Sequence, residues 1–306
     1  MEVRKASSLS ETAKSREISI SRTYATTPQR LFDYFKDPLK LAQWWGPDHF
    51  ITNEVEVEAR INGSYSLTMT GMGMSQRIIG AITEYEEGRT LAVQSQVVHE
   101  GVTILRSYFR IVIEEEESGA RLTLVAKATI ENEYMASALL GMYAGWNQSL
   151  QRLDDELQGR IDRTLVVLSG LMATAGDVYE YWVSPEKLAQ WWAPKDFTTI
   201  VSDMDLGDDG GCTITMSGPG GEKIVSRIGY REIDPPKRLH FRRSDEGALD
   251  PAVDVLVLFD EMGPQTVVSM RFVFDSVSDF DKTVNTLNVK KGAEESLERL
   301  RTLLLV

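Results

Sequence analysis

The side chains that could act as nucleophiles, bases or metal ligands are few in this chain. Its 306 residues include three histidines, His49, His99 and His240, and one cysteine, Cys212. No histidine stands at a metal-ligand spacing from another histidine or from the cysteine, and no Ser-His-Asp arrangement stands out. A thiol is nucleophilic only beside a base or a positive charge, so Cys212 is better interpreted as a small buried hydrophobe. The sequence predicts no catalytic residue, no metal site and no cofactor, and leaves open whether the chain is an enzyme.

Two tryptophan pairs are the bulkiest apolar groups. Trp44-Trp45 and Trp191-Trp192 each precede a proline by two residues. In one interpretation a tryptophan of each pair, such as Trp44 or Trp191, closes a cavity and touches a ligand. In the other, the pairs anchor short helices to a sheet, since a tryptophan buries about 150–250 Å² in either role. Both interpretations stay open, with the packing role favoured.

The segment that carries each tryptophan pair occurs twice. Leu41–Phe50 (LAQWWGPDHF) returns as Leu188–Phe197 (LAQWWAPKDF), an offset of 147 residues. The same offset relates Gly145–Leu153 to Gly292–Leu300 near the end of each copy. One register shared by distant segments indicates a duplicated domain, and the period is too long for solenoid or propeller repeats of roughly 20–50 residues.

The duplication predicts three parts of the chain: a flexible arm over residues 1–16, a first domain over 17–158 and a second over 159–306. The arm is polar and has no hydrophobic period. Each domain has about 150 residues, which is enough to bury a core without a disulfide or a structural metal.

The hydrophobic pattern of each copy predicts one strand, two short helices, six strands and a long helix. In the first copy, Thr27-Pro28 starts one helix as N-cap and first helical residue, and Asp37-Pro38 ends it and caps the next. Alternating apolar residues and hairpin glycines then indicate the strands. The long helix carries an apolar stripe at Leu139, Tyr143, Trp146, Leu150, Leu153 and Leu157. The corresponding helix of the second copy is predicted to begin near Ser278.

A long helix against a strongly bent sheet leaves a cavity, because the helix contacts only part of the concave face. Residues on that face and on the inner side of the helix should line it. In the first domain these are Trp44, Tyr65, Leu67, Met69, Phe109, Tyr143 and Trp146. In the second domain they are Trp191, Cys212, Ile214, Met216, Lys290 and Ala293.

The two predicted cavities differ at three aligned positions. The differing pairs are Tyr65 and Cys212, Tyr143 and Lys290, and Trp146 and Ala293. If the helix register holds, the second cavity is larger and has an ammonium at its rim or interior, which favours a carboxylate-bearing hydrophobic ligand. Alternatively the second helix is rotated, and Lys290 points to water with its stem along the surface.

Composition limits the partners of the chain. A net charge of −13 argues against nucleic acid and anionic membranes, which reward lysine and arginine. No apolar run approaches the ~18 residues of a membrane span. The N-terminus lacks the hydrophobic core of a signal peptide, which predicts a cytoplasmic location. The oligomeric state is not determined by the sequence.

The repeated motifs carry a family resemblance. The Leu41–Phe50 segment, the Gly63–Met69 strand and the Gly145–Leu153 helix resemble the family named after the C-terminal domain of the activator of the heat-shock-protein-90 ATPase. That family belongs to the START-like, Bet v 1-like superfamily, also called SRPBCC. The resemblance implies an α+β fold of two tandem helix-grip domains, each a curved antiparallel sheet around a long C-terminal helix, with two short helices after the first strand.

The resemblance leaves several functions open, because the superfamily includes ligand carriers, cyclases and co-chaperones on one scaffold. With the apolar lining, it predicts binding of a hydrophobic or aromatic small molecule in one or both cavities. A cyclase- or hydrolase-type enzyme would need polar groups such as Lys290 or Arg227 to converge in the same cavity. A co-chaperone of heat-shock protein 90 would instead use an exterior surface. The sequence does not identify the ligand or the pathway.

Overall fold

A computed structural model describes residues 14–71, 73–99, 101–207, 209–246, 251–286 and 289–305. The chain divides between Gly159 and Arg160 into two compact units. This division falls within one residue of the boundary predicted between 158 and 159, and the residue limits of the two domains stay a prediction.

The first unit is built on a seven-stranded antiparallel sheet with the order β1-β7-β6-β5-β4-β3-β2. Its strands are β1 (Ser15–Tyr24), β2 (Ile51–Val57), β3 (Ser64–Gly71), β4 (Met74–Glu86), β5 (Thr90–His99), β6 (Val102–Glu116) and β7 (Gly119–Ile130). Its described helices are α1 (Pro28–Lys36), α2 (Pro38–Trp44), α3 (Ala136–Leu140) and α4 (Met142–Leu157). The two short helices follow β1, and the last helix covers the apolar face of the sheet.

The second unit repeats this topology with the order β8-β14-β13-β12-β11-β10-β9. Its strands are β8 (Thr164–Leu171), β9 (Thr198–Ser202), β10 (Gly211–Ser217), β11 (Lys223–Asp234), β12 (Arg238–Asp245), β13 (Val253–Met262) and β14 (Gln265–Phe274). Its described helices are α5 (Ala175–Val183), α6 (Pro185–Trp191), α7 (Val277–Asp281) and α8 (Val289–Leu303). The predicted fold, two tandem α+β helix-grip domains, is confirmed.

Side-chain caps start the short helices where the sequence predicts them. The Thr27 hydroxyl accepts a hydrogen bond from the amide of Arg30 (3.3 Å), and the Asp37 carboxylate accepts one from the amide of Leu39 (2.9 Å). Thr174 caps α5 in the same way. Each cap satisfies an amide that has no partner inside its helix.

Within the described residues, no helix is both long enough and apolar enough to cross a membrane.

The start of β1 differs from the predicted arm. Ser15 and Arg16 already pair with β7, so the last residues of the segment predicted as an arm belong to the sheet. The Arg16 guanidinium also donates to the carbonyl oxygens of Leu139 (2.9 Å) and Leu140, which ties the strand to α3. Residues 1–13 of the predicted arm lie outside the described residues.

Both long helices are interrupted where the sequence predicts one continuous helix. In the first unit Gly141 separates α3 from α4, because glycine is a poor helix former. In the second unit the helix predicted from Ser278 begins as α7 and continues as a wide helical turn over Lys282–Thr286, and α8 begins at Val289, after two residues that lie outside the described ranges. The buried residues of α8 are Leu297 and Leu300, so apolar packing holds its C-terminal half.

An arginine fastens the last helix of the first unit to the turn after α2. Arg152 Nη1 donates to the carbonyl oxygens of Gly46 (3.0 Å), Pro47 (3.1 Å) and Phe50 (3.0 Å), and its Nη2 donates to that of Gln43 (3.2 Å). The carbonyl groups around a helix C-terminus lack partners within the helix, and the guanidinium supplies them.

The second unit contains the same anchor at the same spacing. Arg299 Nη1 donates to the carbonyl oxygens of Ala193 (3.1 Å), Pro194 (3.2 Å) and Phe197 (3.4 Å), and its Nη2 donates to that of Gln190 (2.9 Å). The helix register implied by the 147-residue offset therefore holds in the structure. In both units the arginine sets how closely the last helix approaches the turn that follows the tryptophan pair, over residues 45–50 and 192–197, hereafter the tryptophan turn.

We expect Arg299→Met to lower the free energy of unfolding of the second unit by about 2–3 kcal/mol, because hydrogen bonds from a charged group contribute about 1.5–3 kcal/mol. Urea denaturation followed by circular dichroism measures the change. Arg227→Met is the matched control, because its guanidinium is 68% exposed and pairs with Glu246 at the surface, where ion pairs contribute little. Equal losses in the two variants would show that the anchor has no special role.

Candidate functional site

The second unit contains an open cavity of about 410 Å³ between the sheet and the N-terminal half of α8. The end of α6 and the following turn contribute Trp191, Trp192, Ala193, Pro194 and Phe197. The sheet contributes Met216, Ile224, Arg243, Met270 and Phe272, and α8 contributes Val289, Lys291, Gly292, Ala293, Glu295 and Ser296. The volume lies within the roughly 300–1,000 Å³ of small-molecule sites, and most of the lining is apolar, as in such sites.

Aromatic rings fill the corresponding region of the first unit. The indole of Trp146 packs on Trp45 with ring centroids 5.0 Å apart and on Phe109 at 5.5 Å. Tyr65 joins the same cluster, 5.7 Å from Phe109. Ala293 is the aligned counterpart of Trp146, so a methyl group replaces an indole at this helix position. The cavity of the second unit opens where that indole would lie.

Bulk is also redistributed across the sheet. Three laterally paired positions on β5, β6 and β7 hold Val93, Phe109 and Ala126, and the matching positions on β12, β13 and β14 hold Phe241, Val255 and Phe272. The large ring therefore moves from the central strand to its two neighbours. This exchange keeps the sheet of the second unit well packed while the space under α8 stays open.

In the first unit the predicted lining residues form a packed core. Trp44 is fully buried, donates from Nε1 to the carbonyl oxygen of Tyr34 (2.9 Å) and packs edge-on against Phe35. Its neighbour Trp45 is the member of the pair that joins the aromatic cluster. The other predicted lining residues are buried in this core or packed against it: Tyr65, Leu67, Met69, Phe109, Tyr143 and Trp146.

In the second unit the structure separates the predicted lining residues into three groups. Trp191, Met216 and Ala293 line the cavity. Cys212 and Ile214 instead border a separate narrow space behind the cavity wall. Burial raises the pKa of the Cys212 thiol, which lies 3.9 Å from the Tyr230 hydroxyl, so Cys212 is neutral near pH 7 and is not an activated nucleophile.

Lys290 forms the third group and lies outside the cavity. Its side chain is 53% exposed and its Nζ is 3.9 Å from Glu294 one helical turn further on. The prediction of an ammonium from Lys290 in the second cavity is therefore not met, because the charge keeps its hydration and an i,i+4 partner at the surface. The next residue, Lys291, stands at the open rim of the cavity instead, with its side chain 69% exposed and its Nζ 3.8 Å from Glu295.

Arg243 forms the polar end of the cavity, which sequence reasoning missed, and buried partners hold its side chain in place. Arg243 Nε donates to Asp245 Oδ1 (3.1 Å), and its Nη2 donates to Oδ2 (2.6 Å). The Ser226 hydroxyl donates to Oδ1 of the same carboxylate (2.5 Å). The alternation of side chains along β12 could have predicted this position, because it places Arg243 on the same inner face as Leu239 and Phe241. Arg227, considered as a polar cavity group, lies on the opposite face.

The Asp245 carboxylate is buried and ionised. Its side chain is 2% exposed, which by itself would raise its pKa. The charge and hydrogen bonds of Arg243, with the bond from Ser226, outweigh this burial and hold the pKa of Asp245 below its ordinary value. The ion pair therefore persists at neutral pH on the wall of the cavity.

Apolar side chains close the same end of the sheet in the first unit. Where Ser226 pairs with Asp245 across β11 and β12, the matching pair across β4 and β5 is Ile78 and Val97. Val97 belongs to an apolar cluster that also contains Leu139 of α3. The polar end is therefore specific to the second unit.

In the described parts of both units, no three His, Cys, Asp or Glu side chains form a group suited to a metal ion.

We expect Asp245→Asn to destabilise the second unit near neutral pH and to matter progressively less below about pH 4. The pKa of Asp245 is lower in the folded than in the unfolded state, so its ionised form contributes stability above the unfolded value. That contribution is lost as the pH falls through the folded value. Urea unfolding of both proteins from about pH 7 to about pH 2 measures the change.

Glu246→Gln serves as the control for this titration, because Glu246 pairs with Arg227 at the surface. A constant difference between wild type and Asp245→Asn over the whole pH range would show that the ionisation of Asp245 does not contribute.

A family model described as "Activator of Hsp90 ATPase homolog 1-like protein" matches residues 25–158 and again residues 172–305. No curated protein matches the sequence of the chain.

Solved bacterial structures resemble one half of the chain each. A protein from Chromobacterium violaceum is 25% identical, covers 46% of this chain and 96% of its own, and gives a TM-score of 0.42. The AHSA1 protein from Silicibacter pomeroyi is 23% identical, with 47% and 98% coverage and a TM-score of 0.40. A protein from Mycobacterium smegmatis is 20% identical, with 47% and 92% coverage and a TM-score of 0.43.

Proposed function

The chain belongs to the Activator of Hsp90 ATPase homolog 1-like family through both of its units, and we propose that it binds a hydrophobic small molecule in the cavity of the second unit. START-like folds of this kind commonly bind hydrophobic ligands. The observation that carries the proposal is the 410 Å³ cavity under α8, in a unit whose duplicate fills the same region with the indole of Trp146.

The chemistry of the walls supports an apolar ligand. The rings of Trp191, Trp192, Phe197 and Phe272 face the same space, together with Met270. Aromatic walls remove a large apolar area of a ligand from water, and each Å² removed contributes about 25 cal/mol. A methionine adapts its shape to the ligand that it contacts.

The first unit supports the proposal as an internal comparison. Its last helix is held to the tryptophan turn by the same four carbonyl contacts, from Arg152, as the helix of the second unit. The anchor is thus common to both units, and the side chains that face the sheet differ between them. We therefore assign the binding role to the second unit.

We expect Ala293→Trp to weaken binding of the neutral fluorophore N-phenyl-1-naphthylamine at least about tenfold, because an indole at this position occupies the ligand volume. Fluorescence titration of the full chain measures binding, and circular dichroism checks that the variant is folded. Ala293→Leu, with a smaller side chain, provides a second variant with the same expected direction. Unchanged affinity in a folded Ala293→Trp protein would contradict the proposed site.

Trp146→Ala is the reciprocal variant in the first unit. Removal of the indole should create a space under α4 and lower the free energy of unfolding by about 3 kcal/mol, since large-to-small changes at packed aromatic positions cost about 3–5 kcal/mol and Trp146 is only partly buried. The affinity of the second unit for the fluorophore should not change. Loss of fluorophore binding in folded Trp146→Ala protein would place the site in the first unit instead.

A further inference from the structure

We propose that the ligand of the second unit is electrically neutral and carries an oxygen acceptor, a carbonyl or hydroxyl group, that Arg243 binds at the polar end of the cavity. This inference rests on the proposed function and specifies the ligand class of the same site. It replaces the carboxylate-bearing ligand expected from the sequence.

The guanidinium of Arg243 uses Nε and Nη2 to bind Asp245, and its third nitrogen, Nη1, can bind another group. Nε and Nη2 donate to the two oxygens of Asp245. Nη1 carries two further N–H donors, and it donates to none of the residues that the structure describes. The side chain is 19% exposed and Nη1 is within reach of solvent, so water can satisfy its donors when the cavity holds no ligand. A ligand oxygen at Nη1 would take the place of that water.

Asp245 cannot offer the complementary interaction to a ligand donor. Oδ1 already accepts from Ser226 and Arg243, and Oδ2 accepts from Arg243. The carboxylate is 2% exposed, so it stands behind the guanidinium and orients it. The polar end therefore presents N–H donors to the cavity, and it selects for an acceptor.

Charge balance argues for a neutral acceptor. The cations of the lining are Arg243 and Lys291, and each has a carboxylate partner: Asp245 at 2.6 Å and Glu295 at 3.8 Å. A carboxylate ligand would add an uncompensated negative charge to a partly dry cavity, where desolvating an ion is expensive. A carbonyl or hydroxyl oxygen accepts the same hydrogen bond without that cost.

The apolar part of the ligand has a wall to contact beside the polar end. Met270 and Phe272 of β14 line the same cavity as Arg243. A molecule with one oxygen at the end of an apolar body can therefore satisfy Nη1 and bury the remainder against these side chains. The position of Arg243 is held by Ser95 in the first unit.

The test compares three ligands of similar shape: 2-ethylnaphthalene, 2-acetylnaphthalene and 2-naphthoate. Their affinities are measured by displacement of N-phenyl-1-naphthylamine from the full chain. The ketone should bind about tenfold more tightly than the hydrocarbon, as expected for one hydrogen bond from a charged donor, and more tightly than the carboxylate. Arg243→Met should abolish the advantage of the ketone over the hydrocarbon.

Arg227→Met is the matched control, because it removes the same charge from the neighbouring strand on the opposite face of the sheet. It should leave the advantage of the ketone unchanged. If Arg243→Met does not fold, Arg243→Gln replaces it with the same expected direction. A ketone advantage that survives either Arg243 variant would overturn the proposal.

Asp245→Asn tests the charge balance directly. It leaves the guanidinium without its carboxylate, so 2-naphthoate should gain on the ketone by about tenfold or more. No gain would overturn the argument for a neutral ligand. Equal wild-type affinities for ketone and hydrocarbon would overturn the role of Arg243 while leaving the proposed function standing. Failure of all three ligands and of the fluorophore to bind would overturn both.

Discussion

The rest of the structure depends on one interaction in each unit. The guanidinium of an arginine in the last helix binds the backbone of the tryptophan turn. Arg152 and Arg299 each donate to four carbonyl oxygens at equivalent places. The Thr52 and Thr199 hydroxyls add a hydrogen bond to the second tryptophan carbonyl of each turn, at 2.7 and 2.6 Å. Because backbone atoms are the acceptors, the anchor fixes the helix independently of the side chains that face the sheet.

Once this frame is fixed, the interior volume depends on a few side chains. Trp146 fills the first unit, and Ala293 leaves the second unit open. A cavity removes packing contacts and costs stability. The second unit offsets part of that cost with rings at Phe241 and Phe272, where the first unit has Val93 and Ala126. A duplicated frame can thus keep one copy with a packed interior and one copy with an open cavity.

The ion pair at the polar end of the cavity loses hydration free energy on folding, which apolar side chains in its place would not lose. Burying an ion pair such as Arg243 and Asp245 contributes little net stability, because both groups lose hydration. The first unit closes the same end of its sheet with Ile78 and Val97, which shows that the fold does not require charge there. The pair is therefore consistent with the proposed role of Arg243 in ligand selection. Arg243 lines the cavity, and the Asp245 carboxylate that it pairs with is buried.

The sequence alone determined the features that depend on local pattern. The repeat offset established the duplication, Thr27 and Asp37 predicted the helix starts, and the period of two predicted the inner faces of the strands. These predictions hold because capping and strand alternation involve neighbours a few residues apart. The family motifs supplied the helix-grip fold, which the structure confirms.

Only the tertiary structure decided how the interior is used. Adjacent helix residues point about 100° apart, so a small rotation decides that Lys291, not Lys290, lines the cavity. The tertiary structure also decides that Trp45, and not Trp44, joins the aromatic cluster under the last helix, because this depends on how α2 packs against the sheet. Alternation along β12 placed Arg243 inside, but its pairing with Asp245 and the free Nη1 depend on the distances between side chains. Those distances follow from the packing of segments far apart in the chain, which no local pattern encodes.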